Sequence, residues 1–275
     1  MLGLIAGAGE LPVAIADGTD EEIYVVRLKG LADPALEGRP GGEFSLGQLG
    51  GVIEALKSAG VARVMFAGYV DRPDFSTLKP DWRGARALPR IIAAATRGDD
   101  ALLRAVLAEF EREGFEIVPV ESALETLLAE PVLLTGTEPR ETDKNDIETA
   151  IAAARAIGAL DIGQAAVACD GLVLAVEAQE GTDAMLRRVA GLPSRLRGSA
   201  DQPRGVLAKA PKPVQDRRVD LPAIGVQTVQ GAAAAGLAGI AVEAGGALII
   251  NKAAVAAAAD AAGIFVMGVA PDHAR

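Results

Sequence analysis

The chain has one cysteine, one histidine and very few aromatic residues, and each shortage removes a class of chemistry. Cys169 alone can neither close an intrachain disulfide nor build a multi-cysteine zinc site, and a single thiol fits a reducing compartment. His273, close to the carboxyl terminus, is the sole imidazole, which rules out Ser-His-Asp and Cys-His nucleophile arrangements and any two-histidine metal motif. At 3% aromatic residues, rings for stacking on nucleic-acid bases are scarce, and a net charge of −10 argues against a polyanionic partner. No apolar run approaches the ~20 residues that span a bilayer, and no basic segment followed by an apolar core opens the chain. The expected setting is the cytoplasm. Peripheral contact with the cytoplasmic face of the inner membrane and a homodimer are both compatible with the sequence.

What remains is abundant small and aliphatic side chain. Half of the 275 residues are hydrophobic, so the core must be built from Ala, Val, Leu and Ile, the usual filling of α/β layers. The length suits two domains of ordinary size. Apolar runs at Leu2 to Ala6, Ile23 to Leu28, Val61 to Ala67 and Phe115 to Val120 alternate with helical patterns at Leu46 to Ala59 and Asp99 to Gly114. That alternation predicts a Rossmann-like parallel sheet in an amino-terminal domain, residues 1–131, with ligands beyond the carboxyl ends of the strands. Periodicity lapses over a linker, residues 132–145, and a carboxyl-terminal domain follows over 146–275, opening on an alanine-rich helix from Asp146 to Gly158. Asp170-Gly171 between the runs Ala165 to Cys169 and Leu172 to Ala178 predicts a hairpin. The second domain is therefore expected to be α/β with a mixed sheet.

The chemistry-bearing residues concentrate between Val176 and Thr228, where carboxylates and cations stand among glycines and prolines. Carboxylates can hold a hard divalent cation and neighbouring lysines can neutralise phosphate oxygens, so the mixture suits phosphate chemistry. Glu177 ends a very apolar strand, where a merely solvated carboxylate is out of place. Pro211-Lys-Pro213 holds Lys209 and Lys212 in extended chain suited to an anion, although lysines are as often simply solvated. Glu180-Gly-Thr-Asp183 reads as a helix start with Thr182 as N-cap, and Asp220 by default as a turn residue. In the first domain Gly7-x-Gly9 follows a strand and could cradle a phosphate, but Pro12 replaces the third glycine of the dinucleotide fingerprint. Arg72 and Asp74 follow a strand end; Asp99 and Asp100 fit the cap and first turn of a helix.

Taken in order, Gly7-x-Gly-x-Leu-Pro12, Phe66-Ala-Gly-x-Val-x-Arg-Pro-Asp-Phe75, Gly98-Asp-Asp-Ala-Leu-Leu-Arg104, Asp161-Ile-Gly-Gln164, Leu174-Ala-Val-Glu-Ala-x-Glu-Gly-Thr-Asp-Ala-Met185 and Lys209-x-x-Lys-Pro-x-Gln-Asp-x-Arg-x-Asp-Leu-Pro222 resemble the LpxI family. These are UDP-2,3-diacylglucosamine pyrophosphatases of lipid A synthesis. The resemblance implies Mg²⁺-dependent hydrolysis of this lipid-linked nucleotide sugar to 2,3-diacylglucosamine 1-phosphate (lipid X) and UMP. It further implies uridine nucleotide binding by the first domain and acylated sugar phosphate binding by the second. On the matched positions, Asp220, Lys209, Lys212 and Glu177 are the expected catalytic residues, with Asp220 and Glu177 as metal ligands. The expected substrate contacts are Gly7, Gly9, Leu11, Pro12, Gly68, Arg72, Asp74, Gln164, Glu180, Thr182, Asp183 and Gln215. Ala8, Tyr69, Ala165 and Ala166 depart from the family pattern. Two other classes stay open on the residues alone: a nucleotide-cofactor NAD(P) oxidoreductase, and a non-catalytic lipid- or nucleotide-binding protein.

Overall fold

The computed structural model describes residues 1–213 and 216–271, so Gln215 and His273 lie outside the described residues. The chain forms two compact units. The first comprises residues 1–125 together with 218–220, and the second residues 126–217 and those from 221 onward.

In the first unit, β1 (Leu2–Ala6), β2 (Ile23–Leu28), β3 (Gly41–Phe44), β4 (Arg63–Ala67) and β5 (Glu116–Ile117) form one parallel sheet in the order β3-β2-β1-β4-β5. Helices α1 (Glu10–Gly18), α2 (Leu49–Ser58), α3 (Trp82–Ala95) and α4 (Asp99–Arg112) belong to the same unit. All five residues of β1 are buried, as a central strand covered on both faces requires. Strand β3 was hidden in the sequence because Gly41-Gly42 carries no apolar signal. It is glycine that permits the pairing, since a Cβ on Gly41 would lie 1.9 Å from the Val25 carbonyl oxygen. The run expected as a strand from Phe115 to Val120 pairs only over Glu116–Ile117. Pro119 has no N–H to extend the ladder, and a short 3₁₀ turn follows it.

The second unit contains α5 (Glu141–Ala159), β6 (Ala165–Cys169), β7 (Leu172–Val176), α6 (Gly181–Ala190), β8 (Val206–Lys209), β9 (Ala223–Ile224), α7 (Val226–Ala234), β10 (Gly239–Glu243), β11 (Leu248–Ile249), α8 (Lys252–Ala262) and β12 (Phe265–Val269). Its main sheet runs β12-β10-β8-β6-β7. Strands β12, β10 and β8 are parallel, whereas β6 and β7 are antiparallel to their neighbours. The sheet is mixed, as the Asp-Gly signal requires. Strands β9 and β11 make a separate parallel pair.

Helix α5 starts at Glu141, five residues before the apolar pattern begins. The Asp143 carboxylate accepts from the Arg140 backbone N–H at 2.8 Å and from the Arg140 guanidinium, which fixes the first turn. One turn on, the buried Asp146 carboxylate accepts from the backbone N–H groups of Asp170 (3.1 Å) and Gly171 (2.7 Å). Both turn residues have positive φ, 52° and 77°, the geometry that joins two strands through a two-residue loop. The alanines and Val167 of β6 are fully buried; Ala168, with Ala208 and Ala241, offers α5 a surface of small side chains on which Ile147, Ala150 and Ile151 pack, and Ala165 and Val167 face the core on the other side of the sheet. No helix among the described residues is long and apolar enough to cross a membrane.

Two outcomes test this account. Asp146→Ala removes two charge-assisted bonds and leaves two turn amides unpaired, so it should cost about 3 kcal/mol, read as a lower urea midpoint with an unchanged slope. Burial, reinforced by Asp170 and Asp146, pushes the Cys169 thiol up to about 11. Iodoacetamide at pH 8 should therefore label native protein far more slowly than protein in urea, as followed by intact mass.

Candidate functional site

In the first unit, β1 has β2 and β3 on one side and β4 and β5 on the other, so the winding reverses between β1 and β4. Crevices that receive ligands form beyond the carboxyl ends of strands at such a reversal. The loops leaving these strands, Gly7-Ala8-Gly9 and Gly68-Tyr69-Val70, are bonded to each other. Ala8 N donates to Tyr69 O and Tyr69 N to Ala8 O, both at 2.8 Å. This closeness explains the glycines, since a Cβ on Gly7 would lie 2.7 Å from Tyr69 O, and one on Gly68 2.6 Å from Ala8 O and 2.8 Å from Pro12 Cγ. Gly9 caps α1 with φ 94° and faces open space at a helix N-terminus, the end that favours an anion. Pro12 is buried in that turn, where no intrahelical N–H bond is lost, and it packs at Gly68 in place of the fingerprint's third glycine.

The nearby charged candidates are tied into the scaffold. The Arg72 guanidinium donates to Ala95 O at 2.7 Å and lies 3.4 Å from Asp99, fastening the loop after β4 to the end of α3 and the start of α4. Asp99 stands in the first turn of α4, with Gly98 as the cap residue. The Asp74 carboxylate accepts from the Ser76 hydroxyl (2.6 Å) and amide (2.9 Å), which hold its pKa below the ordinary carboxylate value. Residues 218–220 also group here: Arg218 pairs with Glu111 at 3.0 Å, Val219 packs against the core containing Leu107 and Phe110, and Asp220 is half-buried and partnered.

The second unit gathers its candidates at one edge of the main sheet. The register sets Ala165 beside Lys209, Ala166 beside Val176 and Lys209 beside Val242. Hence Gln164 before β6, Glu177 after β7, Lys209 at the end of β8 and Glu243 at the end of β10 share that edge. Glu177 is buried, and its carboxylate accepts from Gln164 N at 3.1 Å and from the Thr182 hydroxyl at 2.6 Å. Gly163 allows this approach, since a Cβ there would lie 2.2 Å from Glu177 O. The Gln164 side-chain oxygen is buried without a hydrogen-bond partner among the described residues. Lys209 is buried, its ammonium donating to Ala223 O at 3.0 Å.

Thr182 does not cap α6 as the sequence suggests. Glu180 is the cap residue, and the hydroxyl turns to Glu177 instead. Glu180 itself has its pKa lowered by its own backbone N–H and by Arg188, and Asp183 is exposed in the first helical turn. On the same edge, Arg155, Lys212, Arg217, Glu243, Pro211 and Pro271 line a cavity of about 360 Å³. Arg155 donates twice to Glu243 (2.8 and 2.6 Å), Lys212 pairs with Asp161 at 2.8 Å, and Arg217 donates to Gly245 O at 2.9 Å. Sequence reading passed over Arg155 and Glu243. Glu243 carries the signal that drew attention to Glu177, an acid ending an all-apolar strand, and Arg155 is the lone cation in the alanine run of α5.

Chemically, this edge can hold an anion among Lys209, Lys212, Arg155 and Arg217 beside an oriented carboxylate. Among the described residues no group of three or more His, Cys, Asp or Glu side chains could hold a metal ion. Mg²⁺ needs less, because it commonly takes one or two carboxylates and completes its shell with water and substrate phosphate oxygens. The small donor set of Asp220 or Glu177 fits that habit, with Glu177 also engaged by Gln164 and Thr182.

The family model for the LpxI N-terminal domain matches residues 1–127, and that for the LpxI C-terminal domain residues 130–267. The UDP-2,3-diacylglucosamine pyrophosphatase LpxI of Caulobacter vibrioides (strain ATCC 19089 / CIP 103742 / CB 15) is 54% identical over 275 residues, covering 99% of this chain and 98% of the relative.

The paired glycine loops can be tested by themselves. Gly68→Ala forces a side chain into φ 88° and against Ala8 O, at a cost of at least about 2 kcal/mol. Hydrogen exchange should show the Ala8 and Tyr69 amides losing protection first.

Proposed function

The chain belongs to the LpxI family, and from that premise we propose that it hydrolyses the pyrophosphate bond of UDP-2,3-diacylglucosamine to 2,3-diacylglucosamine 1-phosphate (lipid X) and UMP. The observation that carries this reading is the end-to-end similarity to a pyrophosphatase named for that substrate. The first unit takes the uridine nucleotide at the loops after β1 and β4, where the N-terminus of α1 favours phosphate oxygens. The second unit takes the acylated sugar phosphate at its cationic sheet edge.

Each side chain then has a task its geometry suits. Lys209, fixed by burial and by the Ala223 carbonyl, presents a positive charge that needs no reorganisation as charge develops on the phosphate oxygens. Lys212 adds a second cation from the stiff Pro211-Lys-Pro213 segment. Glu177, oriented by Gln164 and Thr182, accepts a hydrogen bond from the attacking water or serves as a metal ligand. Gln164 offers its unpartnered oxygen to a substrate hydroxyl. Mg²⁺ held at Asp220 would neutralise diphosphate charge and lower the pKa of a bound water. No histidine is required. The reaction belongs in the cytoplasm, where nucleotide sugars are made and thiols stay reduced.

Mass spectrometry of the products made from UDP-2,3-diacylglucosamine tests the reading. UMP and lipid X should form with Mg²⁺, vanish with EDTA, and fall by at least about a thousandfold in Asp220→Ala while substrate binding persists. Intact substrate from folded wild-type protein would overturn the activity, and normal turnover by the variant would overturn the role of Asp220.

A further inference from the structure

The only tryptophan of the chain, Trp82, is 78% exposed at the start of α3. Tryptophan is usually well buried, so one left in water at a helix end calls for a partner. The outward face of α3 is sorted rather than mixed. Trp82, Ala85, Pro89 and Ile92 are exposed and recur at helical spacing, forming an apolar stripe. Alongside runs a second exposed stripe made of Arg83, Arg86, Arg90 and, just past the helix end, Arg97. The inward face, Gly84, Ala87, Ala94 and Ala95, is buried in the first unit.

Charge selects the partner. Residues 82–97 hold four arginines and no acid, within a chain of net charge −10. Glu109 of α4 pairs with Arg90, and Glu113, the residue that caps the end of α4, with Arg83. Arg86 and Arg97 have no ion pair among the described residues, so the stripe keeps a positive surplus. A helix with Trp and Ile on one exposed strip and arginines on the next matches a bilayer surface, where the ring sits at headgroup level and the guanidinium groups meet anionic headgroups. An acidic protein would satisfy the arginines but gives no reason for a neighbouring apolar strip to remain exposed.

We propose that the exposed face of α3 is a docking surface for an anionic lipid bilayer, with Trp82 inserted at the interface and Arg86 and Arg97 facing the headgroups. The surface stands independently of the proposed reaction, although Arg72 couples the two within the first unit. It fastens the loop after β4 to the carboxyl end of this same helix.

Trp82 is its own reporter. Vesicles of phosphatidylglycerol and phosphatidylcholine should shift its emission to the blue and carry the protein in flotation. Vesicles of phosphatidylcholine alone should do neither, and high salt should reverse the binding. Arg86→Glu with Arg97→Glu should weaken vesicle binding at least about tenfold, with an unchanged thermal midpoint and unchanged hydrolysis of detergent-dispersed substrate. Absence of wild-type binding to the anionic vesicles, or equal binding by the variant, would overturn the proposal. So would an emission shift with polyglutamate but none with vesicles, which would assign the face to an acidic protein.

Discussion

The candidate site at the sheet edge of the second unit depends on how the Asp170-Gly171 turn is held. Because β6 and β7 form a hairpin antiparallel to β8, the segment entering β6 and the segment leaving β7 come out beside the carboxyl end of β8. Gln164 and Glu177 reach the edge that carries Lys209 and Glu243 only for that reason. A parallel crossover would have sent one of them to the far side of the sheet. The clamp is Asp146, a buried carboxylate that accepts from two turn amides. An acid far along the chain from the chemistry thus decides which residues can meet.

Small side chains are the second constraint. With few aromatics available, the cores rest on closeness rather than bulk, and closeness is what alanine and glycine permit. In the second unit this lets α5 lie on β6 and β8, which brings Arg155 from the helix to Glu243 at the sheet edge. In the first unit it lets the loops after β1 and β4 bond to each other, through glycines that no larger residue could replace. The residues that look least informative in the sequence therefore fix the geometry of both candidate sites.

The sequence made much of this legible, and the misses have physical causes. Alternating apolar runs gave the parallel sheet of the first unit, and the Asp-Gly pair gave the mixed sheet of the second, because both signals are local and periodic. Strand β3 was invisible since its pairing depends on missing side chains, and the strand after Phe115 was overread because Pro119 ends it early. Helix α5 began before its apolar pattern, its first turn being set by Asp143 rather than by burial. Thr182 shows the limit of local reading: it has the composition of a cap, yet its hydroxyl is drawn to a carboxylate five positions earlier that only the fold brings near. Glu243 could have been found by the rule that picked out Glu177, whereas its pairing with Arg155 across 88 positions had no local trace.

Net charge misleads in such a chain because it averages over regions with opposite tasks. The total of −10 weighs against a polyanion as partner. It says little about a single phosphate, which needs only two or three fixed cations at short range, where screening by distant carboxylates is weak. At the sheet edge of the second unit Lys209 and Lys212 are the candidates for that need, with Arg155 and Arg217 lining the cavity at the same edge. The same holds for a surface: with Arg83 and Arg90 paired to Glu113 and Glu109, Arg86 and Arg97 still leave a positive surplus over residues 82–97. An acidic protein that handles an anionic substrate has good reason to be built this way. General negative charge keeps anions from collecting over most of its surface, so the few places where cations gather are the places where an anion can stay.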